Sequence, residues 1–261
     1  LRVLIPGIGH LSTWLSTIAS GWSEVGQAAF WVALLQIIWI NILLSGDNAV
    51  VIAMACRGLP HRQRLWGMVL GAGVAVLLRI VFTGIVASLM LLPYLKLVGG
   101  LALFYIAAKL LLPEPQDESE VEAVEHLWRA VRIVAVADII MSLDNVIAIA
   151  AAAKGNMALL VIGLAISIPL IVAGAALIMA LLDRFPILVW AGAALLGWIV
   201  GEVIATDPAI QGYLEPKMGA EGFHYIMLFA ALAGAILVLI VGGLWRRAKL
   251  GAQAEKISAA E

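Results

Sequence analysis

Apolar residues in this chain come in long runs broken by short polar clusters, not in the one-sided stripe of a soluble amphipathic helix. Seven runs are long enough to cross a hydrocarbon core, which takes about 20 helical residues. They lie near residues 30–56, 65–92, 94–112, 129–153, 157–182, 185–205 and 222–245. Residues 1–29 differ: Pro6, Gly7, Gly9 and Gly21 interrupt them, and they read as an amphipathic lead-in and not as a cleaved signal peptide. Between the third and fourth runs, PEPQDESEVEAVEH forms an acidic connection that lipid would not admit. The expected order is a three-helix unit at 30–112, the linker at 113–128 and a second three-helix unit at 129–205. An external loop at 206–221, a seventh helix at 222–245 and a cytoplasmic tail at 246–261 complete it.

Composition agrees with the pattern: 64% hydrophobic residues, 13% charged and a mean hydropathy of +1.07 put the chain outside the soluble range. The predicted class is an all-α polytopic membrane protein whose first partner is the lipid bilayer. A net charge of -1 offers nothing to nucleic acid, and one cysteine, Cys56, excludes an internal disulfide and a cysteine-only metal cluster. Basic residues of short connections favour the cytoplasm. Arg57, Arg62 and Arg64 after the first run, Arg129, Arg132 and Arg184, and Arg246, Arg247 and Lys249 in the tail fall on one side of a seven-span chain. The N-terminus is therefore expected outside the cell membrane and the C-terminus inside.

One polar pattern occurs twice. Residues 43–58 read LLSGDNAVVIAMACRG and residues 140–155 read IMSLDNVIAIAAAAKG, with seven of sixteen positions identical. The match continues weakly through Pro93/Pro186 and Gly99/Gly192. Three spans is an odd number, so the second copy is expected upside down relative to the first. Inverted three-helix repeats are a transporter architecture with the substrate site near the midplane where the copies meet.

A carboxylate at mid-membrane costs about 2.5–3.5 kcal/mol on insertion scales and must face the bundle interior. Asp47, Asp138, Asp144 and Glu202 accept that cost, with Arg79 and Lys109 against them. Asn41, Ser45 and Asn48 follow an i, i+4, i+7 spacing on one helical face, and Asp138, Ser142 and Asn145 repeat it. Asp47 and Asp144 point about 100° away from the neighbouring Asn48 and Asn145. Each pair can reach one ion where the helix opens, which Gly46 would permit in the first copy, whereas Leu143 stands there in the second. Carboxylates, amide oxygens and hydroxyls suit a hard divalent cation such as Mg²⁺, Ca²⁺ or Mn²⁺. Met54 and Met141 near the pairs would favour Mn²⁺ among these. Arg79 is expected to pair with a buried carboxylate.

On NILLSGDNAVVIA and DIIMSLDNVIAIA, and over residues 30–245, the chain resembles the TerC family of membrane proteins, in particular its shorter YjbE-type branch. The resemblance implies export or handling of Mn²⁺, within a larger superfamily that includes amino-acid exporters. By motif match it gives Asp47, Asn48, Asp144 and Asn145 an ion-binding role and carries Asn41 and Asp138 with them. No catalytic residue and no resident cofactor is expected, the metal being cargo. Other readings stay open: an amino-acid or other small-solute exporter, a structural subunit of a membrane assembly, or an intramembrane aspartic protease. No phosphate-binding loop of the GxxxxGK[ST] kind occurs, so no ATP engine is evident. Proton exchange and assembly as a homo-oligomer are both compatible with the chain.

Overall fold

A computed structural model describes residues 28–83, 92–112, 120–153 and 156–258, with some side chains inside α-helices excepted. Among these residues the chain is helical without strands. The helices are α1 Ala28–Leu44, α2 Gly46–Cys56, α3 His61–Thr83, α4 Leu95–Lys109, α5 Glu120–Ala153, α6 Met157–Arg184, α7 Ile187–Ala205 and α8 Pro208–Ser258. The expected lead-in lies almost wholly outside the described residues, as do residues 113–119 of the acidic linker.

Four stretches, His61–Val81, Ala158–Arg184, Ile187–Ala205 and Pro208–Ala252, are each long and apolar enough to cross a membrane. The pair α1 and α2, bent by 54°, makes a fifth as one broken span. The chain is thus a multi-pass membrane protein, with five such spans among the described residues where seven were expected. The other two expected spans correspond to α4 and α5. α4 has 15 described residues, about 22 Å at 1.5 Å each, against about 30 Å of hydrocarbon. α5 has length in hand, with 34 residues, but several of its side chains around Asp144 lie outside the described residues.

Helix directions follow from pairwise packing. Gly67 of α3 lies against Leu127 of α5, Gly71 against Val134, and Arg79 reaches Asp138 and Ser142, so α3 and α5 run the same way. In the same manner Gly163 of α6 lies against Ile37, and Gly174 against Ala49, which aligns α6 with α1 and α2. Arg64 at the start of α3 pairs with Asp183 at the end of α6 at 2.6 Å, so these two are antiparallel. Gly100 near the start of α4 meets Val200 and Ile204 near the end of α7, so these are antiparallel too. One end of the bundle therefore carries the basic segment Arg57–Arg64, the turn after α6 and the arm of α8 where Arg246 lies over the Trp190 ring. The other end carries the turns before α4 and α8.

α8 packs along α7 through small residues. A Cβ at Gly197 or Gly201 would run into the α8 backbone at Ala230, Gly234 and Ala235, so only glycine permits this approach. The core of the bundle is apolar, with Ile52, Leu103, Leu111 and Leu196 among its fully buried side chains.

Three segments differ from the expected organisation. The first span is not continuous but breaks at Ser45. Helix α5 starts at Glu120, so the second part of the acidic linker is helical: acidic residues suit a helix N-terminus, where the dipole is positive. The expected external loop 206–221 is helical from Pro208 and breaks at Gly219, whose φ of 72° only glycine adopts without strain.

The helix after residue 207 starts on a cap that the loop expectation overlooked. Asp207 is fully buried and accepts a hydrogen bond from the backbone N–H of Ala209 at 2.9 Å, with Pro208 in the first helical position. Its carboxylate also accepts from the N–H groups of Tyr94 at 3.0 Å and Leu97 at 3.1 Å, capping α4 as well. Tyr94 is held in the left-handed region, with φ of 67°, where a non-glycine residue pays about 1–2 kcal/mol. Burial would raise the carboxyl of Asp207, but the N–H donors of Tyr94, Ala209, Leu97 and Lys96 outweigh it and hold it below the usual carboxylate range.

Candidate functional site

The site grows out of the break at Ser45. Residues 41–48 read NILLSGDN, three apolar residues between Asn41 and a small, polar run, and Gly46 has the weakest helix propensity after proline. Helix α1 ends at Leu44, Ser45 adopts φ -111° and ψ 9°, and α2 leaves at 54° to α1. Gly46 itself has ordinary φ and open space where a Cβ would sit, so neither strain nor crowding demands glycine here. Gly46 contributes by making the helix easy to interrupt.

A break inside a membrane frees backbone groups that must be satisfied within the protein. The carbonyl of Leu44 accepts from the Asn145 side-chain amide at 3.1 Å, a donation across the bundle from α5. Asp47 stands in the first turn of α2, and its carboxylate accepts the N–H of Asn48 at 2.8 Å, the place where a helix favours negative charge. The other copy behaves differently. Helix α5 runs unbroken through Leu143 and Asp144, as the leucine at that position led one to expect.

Between the copies stands Arg79 of α3, buried to 2% exposure. Its Nη2 donates to Asp138 Oδ1 and to Ser142 Oγ, both at 2.7 Å. Its Nη1 donates to Asn41 Oδ1 at 2.5 Å and to Ser45 Oγ at 3.1 Å. Asn41 and Asp138 occupy matching positions of the two sequence copies, as do Ser45 and Ser142. The guanidinium therefore holds one side-chain carbonyl or carboxylate and one hydroxyl from each copy, using the planar fork that lysine lacks. The expected pairing of Arg79 with a buried carboxylate is met by Asp138.

The polar centre is not saturated. Among the described residues, Asp138 Oδ2, the amide nitrogen of Asn41 and both polar atoms of Asn48 are buried without a hydrogen-bond partner. Asn48 and Asp138 line one small cavity with Val51, Ile52, Ala75 and Val134. Unpaired polar atoms cost about 1–3 kcal/mol each when buried, and two of the residues that carry them, Asn48 and Asp138, share this one cavity.

The structure thus brings Asn41 and Asp138 together through Arg79 and places Asn48 beside Asp138. Asn145 is tied to the break. Asp47 is part-buried at the head of α2, within electrostatic reach of both Arg79 and Asp138. The side chain of Asp144 lies outside the described residues. Met54 and Met141 are buried in the apolar core, Met54 against Gly192. Among the described residues no three His, Cys, Asp or Glu side chains gather as a metal-holding group; the oxygens of the centre come from Asn, Ser and Asp. Two parts of the arrangement escaped the sequence. The Leu44 carbonyl has no side-chain signal, and the second role of Asp207 depends on residues 110 and 113 positions away.

Fold and site together define a helical multi-pass membrane protein with a buried, charged and polar centre between two copies of one motif. The model of the Integral membrane protein TerC family matches residues 26–250, and the chain belongs to that family. The membrane protein YjbE of Bacillus subtilis (strain 168) is 42% identical over 199 residues, covering 76% of this chain and 91% of the relative. YceF from the same organism is 27% identical over 247 residues, covering 86% and 90%. A UPF0053 protein of Haemophilus influenzae is 27% identical over 212 residues, covering 72% and 89%. No solved structure matches the chain.

Proposed function

We propose that this protein is a secondary transporter that exports a divalent metal cation, Mn²⁺ foremost, through an Asp/Asn site at the interface of two inverted repeats. The observation that carries the reading is the set of buried oxygens at matching positions of the two copies, with Asp138 Oδ2 and Asn48 Oδ1, from residues lining one cavity, unpartnered among the described residues. Hard oxygen donors of this kind suit Mn²⁺, Mg²⁺ or Ca²⁺. The end of a broken helix, with its free carbonyls, is a recurring place for a cation in transporters. Asp47, Asn48, Asp144 and Asn145 would be the principal ligands, with Asn41 and Asp138 beside them. The metal is substrate, and the reading assigns no enzymatic step.

Helix directions support the repeat. α1 with α2 corresponds to α5, α3 to α6 and α4 to α7, and each correspondent runs opposite to its partner. Exchanging the copies turns the packing of α3 on α5 into that of α6 on α1 and α2, and both are extensive. In this reading seven spans cross the cell membrane, and the end bearing Arg57, Arg64 and Arg246 faces the cytoplasm, which puts the C-terminus inside. Rocking one repeat against the other would open the centre to each side in turn.

The test is flux in proteoliposomes holding the purified full chain, measured for Mn²⁺, Mg²⁺ and Ca²⁺ with and without a pH gradient. Mn²⁺ should move faster than the other two, and Asp47→Asn and Asp144→Asn should each abolish transport in folded protein. The double variant should be no worse than either single one, as for residues acting as a unit. Full Mn²⁺ flux in both single variants would end the reading.

A further inference from the structure

Among the described residues, four oxygens that Arg79 engages belong in pairs to equivalent positions of the two copies: Asn41 with Asp138, and Ser45 with Ser142. No residue of α6 supplies a counterpart, since its central turns, from Gly163 to Met179, carry no basic side chain. A guanidinium is always charged in a protein and cannot leave such oxygens by losing a proton. They become available to another cation only if Arg79 swings away. Asp47 gives it somewhere to go, being a second carboxylate within electrostatic reach and tied by its own neighbouring N–H.

We infer that Arg79 is a tethered counter-cation: it fills the oxygens of the two repeats when the carrier is empty and yields them to the transported cation on loading. The inference rests on the transport reading above and deepens it. An empty carrier with Asp138 unpaired at its centre would have to carry a bare buried charge through the return step. With Arg79 in place that charge is neutralised, and the empty protein can reorient. Arg79 is then a positioning residue that decides whether the carrier can return unloaded.

The experiment uses the full chain in proteoliposomes and Mn²⁺ as the probe, with two assays: net efflux into Mn²⁺-free buffer, and exchange of labelled for unlabelled Mn²⁺ with the ion on both sides. Arg79→Gln should bind Mn²⁺ more tightly, since the competitor is gone. If the guanidinium holds the oxygens for roughly 90–99% of the time, the apparent affinity rises about 10- to 100-fold. Exchange should persist while net efflux collapses, because only net efflux needs the empty carrier to return. A merely structural arginine would depress both together, and equal loss of both in folded Arg79→Gln overturns the inference while the transport reading stands. Unchanged affinity with unchanged net efflux overturns it too. Should Arg79→Gln fail to fold, Arg79→Lys decides: it keeps the charge but lacks the fork, so affinity should rise and the ratio of exchange to net efflux should increase. An unaltered ratio in Arg79→Lys counts against the inference. If the unmodified protein neither binds nor moves Mn²⁺, Mg²⁺ or Ca²⁺, the transport reading falls and this inference falls with it.

Discussion

The two copies of the Asp-Asn motif share seven of sixteen residues and yet fold differently. In the first, the span breaks at Ser45 and turns by 54°; in the second, α5 continues through the same positions. They differ again one turn earlier, where Asn41 is neutral and Asp138 is charged. In the polar centre the two copies of the motif thus differ at two points: one backbone opening and one carboxylate. Arg79 spans the difference by touching both copies. The same polar groups recur in both copies, and the helix is open where Gly46 follows Ser45 and closed where Leu143 follows Ser142.

The largest expected effect comes from removing the charge difference. Asp138→Asn strands the buried guanidinium of Arg79, and breaking a buried pair in this way costs about 3–5 kcal/mol. Chemical denaturation of the protein in detergent should show it as a lower midpoint. The exchange variant Asn41→Asp with Asp138→Asn moves the carboxylate to the matching position, where Arg79 Nη1 already donates. It should recover much of the loss. No recovery would mean that the two positions are not interchangeable about Arg79.

A third difference lies at α4 and α7, the helices expected to close each copy. α7 starts directly after Pro186, whereas α4 starts after a left-handed Tyr94 whose N–H is held by Asp207. Asp207→Ala removes caps from two helices at once and should cost about 1–2 kcal/mol, since a single N-cap is worth about 1. The folded-state carboxyl of Asp207 titrates below its ordinary value. Its contribution is therefore complete above about pH 4, the unfolded carboxylate value, and is lost as pH falls through the lower folded one. Melting temperatures of the wild type and Asp207→Ala should differ at neutral pH and converge in strong acid. A gap that widens in acid would contradict the capping role.

Much of this was legible in the sequence, and what was missed has a common cause. The helical membrane class follows from the length and hydropathy of the runs, because lipid leaves a chain few ways to satisfy its backbone. The polar centre was visible in the periodicity of Asn41, Ser45 and Asn48 and its recurrence at Asp138, Ser142 and Asn145, and Arg79 had to find a carboxylate somewhere. What spacing could not show was three-dimensional: that one guanidinium serves both copies, and that Asn145 satisfies a carbonyl in α1. The helix at Pro208 was hidden because its residues are polar, though Asp-Pro is a start signal that could have been read.

Smaller effects probe the opening itself. Gly46→Leu makes the first copy match the second, and the position has room for a side chain. Helix propensity should gain about 0.5–1 kcal/mol, so this variant should be slightly more stable and slower in Mn²⁺ flux. Equal flux would show that the break does not depend on Gly46. The smallest expected change is in Met141→Leu, a volume-conserving swap in the core worth less than about 1.5 kcal/mol. It should leave transport intact and relax discrimination against Mg²⁺ and Ca²⁺. If Met54→Leu and Met141→Leu both keep their selectivity, the sulfur atoms are packing alone.

The central claim is that the two copies build one cation site between them. A structure of the full chain with Mn²⁺ bound, located by its anomalous scattering, tests this most directly. The account expects a single ion at the cavity beside Asn48 and Asp138, with oxygens from both copies around it and Arg79 turned away. An ion held at one aspartate, with the matching aspartate of the other copy farther than about one helix diameter, roughly 10 Å, would contradict it.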